Sequence, residues 1–180
     1  AEPEILLDRY RVLARRGNGG FGTVCTCWDT RLQRRVAIKR MPLLGASDTP
    51  GVLASTVDEA LSEARTACLL AHPNIVTVHD FEIEGDYAYL VMEFVDGLNL
   101  SELLARVEGG YLTYAEAAHM VSSLAKALQY AHENGVLHLD IKPTNIMIDR
   151  QGTVKLADFG MATLASAAGY GGARGGTVGY

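Results

Sequence analysis

The chain has 180 residues, of which 48% are hydrophobic and 21% charged, with a formal net charge of −5. That is enough for one good core or two small lobes sharing a cleft. Without a dense basic cluster, the balance argues against a nucleic-acid or anionic-membrane partner, while a few local cations and backbone N–H groups suffice for a nucleotide. Cys25, Cys27 and Cys68 have neither disulfide nor zinc spacing, and read as thiols in a reducing compartment. No apolar run approaches membrane-spanning length and no signal-peptide pattern opens the chain, so a cytoplasmic location is expected, any anchor lying beyond residue 180.

The first half reads mainly as strands. Tyr10–Arg16 leads into the glycine-rich stretch Gly17–Gly22, and Val24–Trp28 is a second β-prone run, which puts Cys25 and Cys27 on one face. Arg35–Met41 alternates apolar Val36 and Ile38 with charged Arg35 and Lys39. A loop over Pro42–Pro50 precedes a helix opening near Thr56, with Glu59 as capping-box partner. Val57, Leu61, Ala64 and Cys68 form its apolar face, and it ends at His72-Pro73. Val76–Ile83 and Tyr87–Val95 are strands joined by the hairpin signal Glu84-Gly85-Asp86.

After Asp96-Gly97 the pattern turns helical. Leu100–Arg106 is short. A longer helix opens at Thr113 with Glu116 as capping-box partner, carries Ala117, Val121, Leu124, Leu128 and Ala131 down one side, and stops at Gly135. Short strands with turns follow from Val136 to Ala157, and the Gly-, Ala- and Ser-rich stretch from Met161 to Tyr180 reads as a loop.

Three segments carry chemistry. Gly17-Asn18-Gly19-Gly20-Phe21-Gly22 lets a hairpin approach phosphates closely, because no side chain shields its backbone N–H groups. A dinucleotide fold would need these glycines to open a helix, and the β-prone residues that follow make a strand–turn–strand flap instead. Lys39 would be an ordinary solvated strand residue unless it meets phosphates. Glu63, beside the helix's apolar stripe between Leu61 and Ala64, is then its candidate carboxylate partner, since capping already accounts for Glu59. The third segment is His138-Leu139-Asp140-Ile141-Lys142-Pro143-Thr144-Asn145, followed by Asp158-Phe159-Gly160. Phosphoryl transfer needs a carboxylate at the attacking hydroxyl, a cation near the transferred group and oxygen ligands for a metal. Asp140, Lys142, and Asn145 with Asp158 supply these in turn. Each residue alone would suit a solvated loop; the ordered set is hard to obtain by chance.

Together, Gly17–Val24, Val36–Lys39, Glu63, His138–Asn145, Asp158–Gly160 and Gly176–Tyr180 resemble the protein-kinase signature set, of the bacterial, eukaryotic-type serine/threonine kind. His72–Val76 and Val91–Gly97 add to the likeness, which runs from about Tyr10 to Tyr180. It implies an α+β, protein-kinase-like bilobal fold: an antiparallel-sheet N-lobe with one helix over 1–95, and an incomplete, mainly helical C-lobe over 96–180. It implies ATP with Mg²⁺, or Mn²⁺ in its place, and a protein substrate offering serine or threonine.

By the same resemblance, Lys39 contacts the α/β-phosphates and pairs with Glu63. Met92 is the gatekeeper, and Glu93 and Val95 present backbone to the adenine edge. Val24 and Ala37 cover the adenine ring, with Met147 beneath it. Asp140 orients the substrate hydroxyl, Asn145 and Asp158 hold the metal, and Thr177 supports the site. Leu139 replaces a common arginine, which weakens the expectation of switching through phosphorylation at Thr163, Ser166, Tyr170 or Thr177. The family pattern continues past Tyr180, so a truncated domain of low activity, prone to self-association, is expected. The competing expectations are a pseudokinase or nucleotide-binding scaffold, and a small-molecule phosphotransferase, which Lys142 and Gly176-Thr177 fit less well.

Overall fold

The computed structural model describes residues 2–19, 22–42, 58, 61–62, 64–138 and 140–158, and the fold rests on these. Six strands form one antiparallel sheet in the order β1-β2-β3-β4-β6-β5: β1 (Ile5–Leu6), β2 (Tyr10–Gly19), β3 (Gly22–Asp29), β4 (Arg34–Pro42), β5 (Val78–Glu84) and β6 (Tyr87–Glu93). β7 (Gly97–Asn99), β8 (Ile146–Asp149) and β9 (Val154–Leu156) form a second antiparallel sheet. Two helices belong with it, α1 (Leu100–Arg106) and α2 (Tyr114–Glu133).

The two-residue period of β4 sorts its side chains between two cores. Val36 and Ile38 are fully buried with Leu6, Tyr10, Cys25, Cys27, Tyr89 and Val91 on one face. Ala37 and Met41 turn to the other face, with Ala88, Leu90, Met92 and Ala67. Lys39 lies between them and shares their side. Its cross-strand neighbours are Val24 on β3 and Leu90 on β6, while Ala37 faces Thr26 and Met92. Val24, Ala37, Lys39 and Met92 therefore stand in two adjacent rows on one face of the sheet. Met147, Val95 and Ala157 pack against that face, so the second sheet closes over it.

Residues 64–68 are helical; Ala64 and Ala67 are buried, and Cys68 is half-buried as expected. The capping box read at Thr56 and Glu59 lies outside the described residues. The link that follows zips onto β9. Asn74 Nδ2 donates to the Val154 carbonyl at 2.8 Å, Leu156 N–H to the Asn74 carbonyl at 2.8 Å and Val76 N–H to the Leu156 carbonyl at 2.9 Å. Val76 is thus spent on this seam and Thr77 on Glu93, and β5 opens only at Val78.

α2 begins where its capping box predicts: Thr113 Oγ1 accepts from Glu116 N–H, and the Glu116 carboxylate accepts from Thr113 N–H. The helix ends at Glu133, and Gly135, two residues on, turns the chain with a φ of +76° that suits glycine. The buried face differs from expectation. Met120, Ser123, Ala127 and Ala131 are buried, Leu124 and Leu128 only half so, and Ala117 and Val121 are exposed. Small residues let the helix lie close against Ile146, Val154 and Leu156, which rotates the stripe away from its bulkier members. The β7 strand was not expected. Gly97 permits it: a Cβ there would sit 1.9 Å from the Ile148 carbonyl oxygen.

Asp29 closes the turn after β3. It receives Nε and Nη2 of Arg9 at 2.9 and 2.8 Å, and the N–H groups of Arg31 and Leu32. The Arg9 guanidinium holds its carboxyl down, from an ordinary 3.8 to about 2. Because the ionised form is favoured by the fold, this contribution is complete above the unfolded value and fades as the pH falls from about 4 to about 2. Asp29→Ala should cost about 3 kcal/mol in urea unfolding near neutral pH, and most of that difference should vanish toward pH 2. A loss below about 0.5 kcal/mol would show the pair to be ordinary surface charge.

Candidate active site

Lys39 is 8% exposed, and its Nζ lies 3.5 Å from Oδ2 of Asp158. The two come from the two sheets: Lys39 from the cleft face of β4, Asp158 from the segment after β9. Asp158 has φ +64°, a left-handed conformation that asparagine and aspartate tolerate better than most side chains. The residue before it is pinned on both sides. Ala157 N–H donates to the Asn145 carbonyl at 2.8 Å, and the Ala157 carbonyl accepts from His138 Nε2 at 2.5 Å. The backbone is thus committed just before Asp158, and the carboxylate is aimed back at Lys39.

His138 is buried and organises the neighbouring loop. While Nε2 donates to Ala157, Nδ1 accepts the N–H of Asp140 at 3.1 Å, which fixes a neutral ring. Burial pushes its proton affinity below the ordinary value in the same sense. One ring therefore ties the backbone of Asp140 to the residue preceding Asp158. The turn Pro143–Asn145 brings Asn145 back under Asp140. Its N–H donates to the Lys142 carbonyl at 2.9 Å and its Nδ2 to the Asp140 carbonyl at 2.8 Å. Lys142 Nζ lies 3.1 Å from the Asp140 carboxylate.

Of the residues singled out from sequence, Lys39, Asp140, Lys142, Asn145 and Asp158 are brought together here. Val24, Ala37, Met92, Val95 and Met147 border the same cleft. Gly17, Asn18, Gly19 and Gly22 belong to the β2–β3 hairpin, with Asn18 opposite Thr23 and Gly19 opposite Gly22. Gly20, Phe21, Glu63, Leu139 and residues 159–180 lie outside the described residues, and with them the Lys39–Glu63 pairing and the four phosphosites. Among the described residues, neither backbone polar group of Val95 takes part in a hydrogen bond.

Two features escaped the sequence reading. One is the part His138 plays. The other is the Glu93 side chain, which accepts from Thr77 N–H at 2.9 Å and from Lys155 Nζ at 3.1 and 3.2 Å. No local pattern marks a pair 62 residues apart; the only hint is a lysine set between the buried Val154 and Leu156.

No group of three or more His, Cys, Asp or Glu suited to holding a metal occurs among the described residues. A divalent cation still fits. With Nδ2 of Asn145 turned to the loop, its Oδ1 is the atom left for a ligand, and Asp158 adds a carboxylate. One carboxylate, one amide oxygen and the phosphates of a nucleotide form the kind of set that hard cations take.

A two-sheet cleft, a lysine facing an aspartate across it, and an Asp-Lys-Asn loop beside them are the parts that nucleotide-dependent phosphoryl transfer calls for. A family profile, the protein kinase domain, matches residues 10–180. The chain belongs to that family. It is 39% identical over 158 residues to the serine/threonine-protein kinase PrkC of Bacillus subtilis, covering 88% of this chain and 23% of that protein. It is 40% identical over 168 residues to the serine/threonine-protein kinase PknA of Mycobacterium tuberculosis, covering 91% of this chain and 37% of that protein. A probable serine/threonine-protein kinase PknB of Corynebacterium glutamicum is 38% identical over 162 residues, 88% of this chain and 24% of that protein. The chain thus spans between about a quarter and somewhat over a third of these relatives. Membership implies ATP and a divalent metal ion in general, and a curled antiparallel N-lobe sheet of the kind seen. No helix among the described residues is long and apolar enough to cross a membrane.

Proposed function

We propose that the protein carrying this chain is a serine/threonine protein kinase, moving the γ-phosphoryl group of ATP to a hydroxyl of a protein substrate with Mg²⁺ as the metal. The observation that carries this reading is the 3.5 Å approach of Lys39 to Asp158 across the cleft, beside a loop in which Asp140, Lys142 and Asn145 are mutually bonded. The division of labour falls at residues 95 and 96, with nucleotide grip in 1–95 and the catalytic loop in 96–180.

In this reading Val24 and Ala37 cover the adenine, Met147 lies beneath it and Met92 stands at its back. The backbone of Glu93 and Val95 meets its edge, and the two polar groups of Val95 suit that task. The glycines of the hairpin cover the phosphates, while Lys39 neutralises them with Glu63 as its partner. Asn145 and Asp158 would hold Mg²⁺, which would spread the negative charge of the phosphates. Asp140 receives the proton of the attacking hydroxyl as its oxygen bonds to phosphorus and the bond to the leaving ADP oxygen breaks. Lys142, 3.1 Å from that carboxylate, gives it a cationic partner and stands near the transferred group.

The test is transfer from γ-labelled ATP by the full-length protein, with and without Mg²⁺, read together with thermal shift. Metal-dependent labelling of serine or threonine, with a Tm raised by Mg-ATP, is the expected result. Nucleotide binding at saturation without any labelling would make the protein a nucleotide-binding scaffold.

A further inference from the structure

The side-chain pair of Glu93 and Lys155 has no part in the reading above, yet it lies where that reading places the adenine. Glu93 ends β6 and leads into the link between the sheets. Its N–H donates to the Thr77 carbonyl at 2.9 Å and its carboxylate accepts Thr77 N–H at 2.9 Å, so the residue is clamped on its β5 side by two bonds. The carboxylate also reaches the second sheet, where both of its oxygens receive Lys155 Nζ. Lys155 is the register partner of Met147, the residue beneath the adenine, and stands three positions before Asp158.

An exposed ion pair holds two long side chains in place for little net gain. This one is largely screened from solvent, with side chains 19% and 24% exposed, and it bonds through both carboxylate oxygens. It ties the start of the link to the strand that carries the floor. Among the described residues, the sheets also meet through the Lys39–Asp158 approach and through residues 74–76 on β9, while the far end of the link is held by the pairing of β7 with β8. At the start of the link, the Glu93–Lys155 pair joins the edge-binding backbone to the residue opposite Met147. We infer that the side chains of Glu93 and Lys155 are a positioning pair for the nucleotide, setting the gap between adenine edge and floor without themselves touching the ligand. The inference rests on the kinase reading.

In the full-length protein, Lys155→Met should raise the KM for ATP about tenfold with kcat within about twofold, and should weaken adenosine binding by the same factor. Lys155→Arg keeps a cation that can donate to both oxygens, and should return KM to within about threefold of wild type. Should Lys155→Met fail to fold, Glu93→Gln, which keeps the acceptor for Thr77 but removes the charge, should raise KM about threefold. An unshifted KM, a fall in kcat at constant KM, or a lowered Tm with no change in nucleotide affinity would each overturn the inference. Wild-type protein that transfers no phosphate would instead overturn the kinase reading beneath it, so the two failures are distinct.

Discussion

Asp140→Asn in the full-length protein should lower kcat for phosphoryl transfer by about 10²–10⁴-fold. The expectation follows from what holds the residue. Its backbone is fixed by the ring of His138 and by Nδ2 of Asn145, neither of which involves its own carboxylate. Asparagine can therefore occupy the same place with the same backbone bonds, and what it removes is the proton acceptor. The KM for ATP should stay within about threefold of wild type, because the reacting hydroxyl and not the nucleotide meets this group. Lys142 loses its charged partner at 3.1 Å, a cost that falls on the same step. Activity retained to within tenfold of wild type would remove Asp140 from the chemistry. A large rise in KM at constant kcat would place it in nucleotide binding instead.

Lys39→Met should reduce kcat/KM for ATP by about 10²–10³-fold, the usual scale for deleting one preorganised charge from a site where phosphate charge must be stabilised. Methionine nearly matches the stem of lysine, and Ala37 and Met41 on the same face of β4 leave an apolar seat for it. The fold should therefore survive, with Tm changed by only a few degrees or raised, since a buried ammonium is costly to hold. Asp158 is left facing a methyl group in place of a cation 3.5 Å away. Raising Mg²⁺ should recover part of the activity, because the metal then carries more of the neutralisation at that carboxylate. A variant that binds and turns over Mg-ATP as wild type does would mean that Lys39 is only a structural partner of Asp158.

Much of this architecture was legible because it is written in short-range patterns. The alternation of Val36 and Ile38 with Lys39 placed the lysine opposite the apolar face of β4, and Thr113 with Glu116 marked the start of α2. The Asp-Lys-Asn spacing marked a candidate loop for the same reason: the bonds among Asp140, Lys142 and Asn145 span at most five residues. What was missed depends on long-range contact. The buried face of α2 is decided by the close approach of Ile146, Val154 and Leu156, which favours Ser123, Ala127 and Ala131 over Ala117 and Val121. β7 exists because Gly97 lets one backbone lie against another about fifty residues away, and a glycine after aspartate reads locally as a turn. His138 and Lys155 act through partners 19 and 62 residues distant, beyond any periodicity.

Everything turns on whether β4 and the segments flanking β8 and β9 enclose one metal–nucleotide complex. A crystal structure of the full-length protein with Mg²⁺ and a non-hydrolysable ATP analogue tests this directly. Asn145 and Asp158 should hold Mg²⁺ beside the phosphates, with Lys39 Nζ on the α/β-phosphate oxygens and adenine between Ala37 and Met147. Nucleotide bound elsewhere, or in the cleft with its phosphates turned away from Lys39 and Asp158, would contradict it.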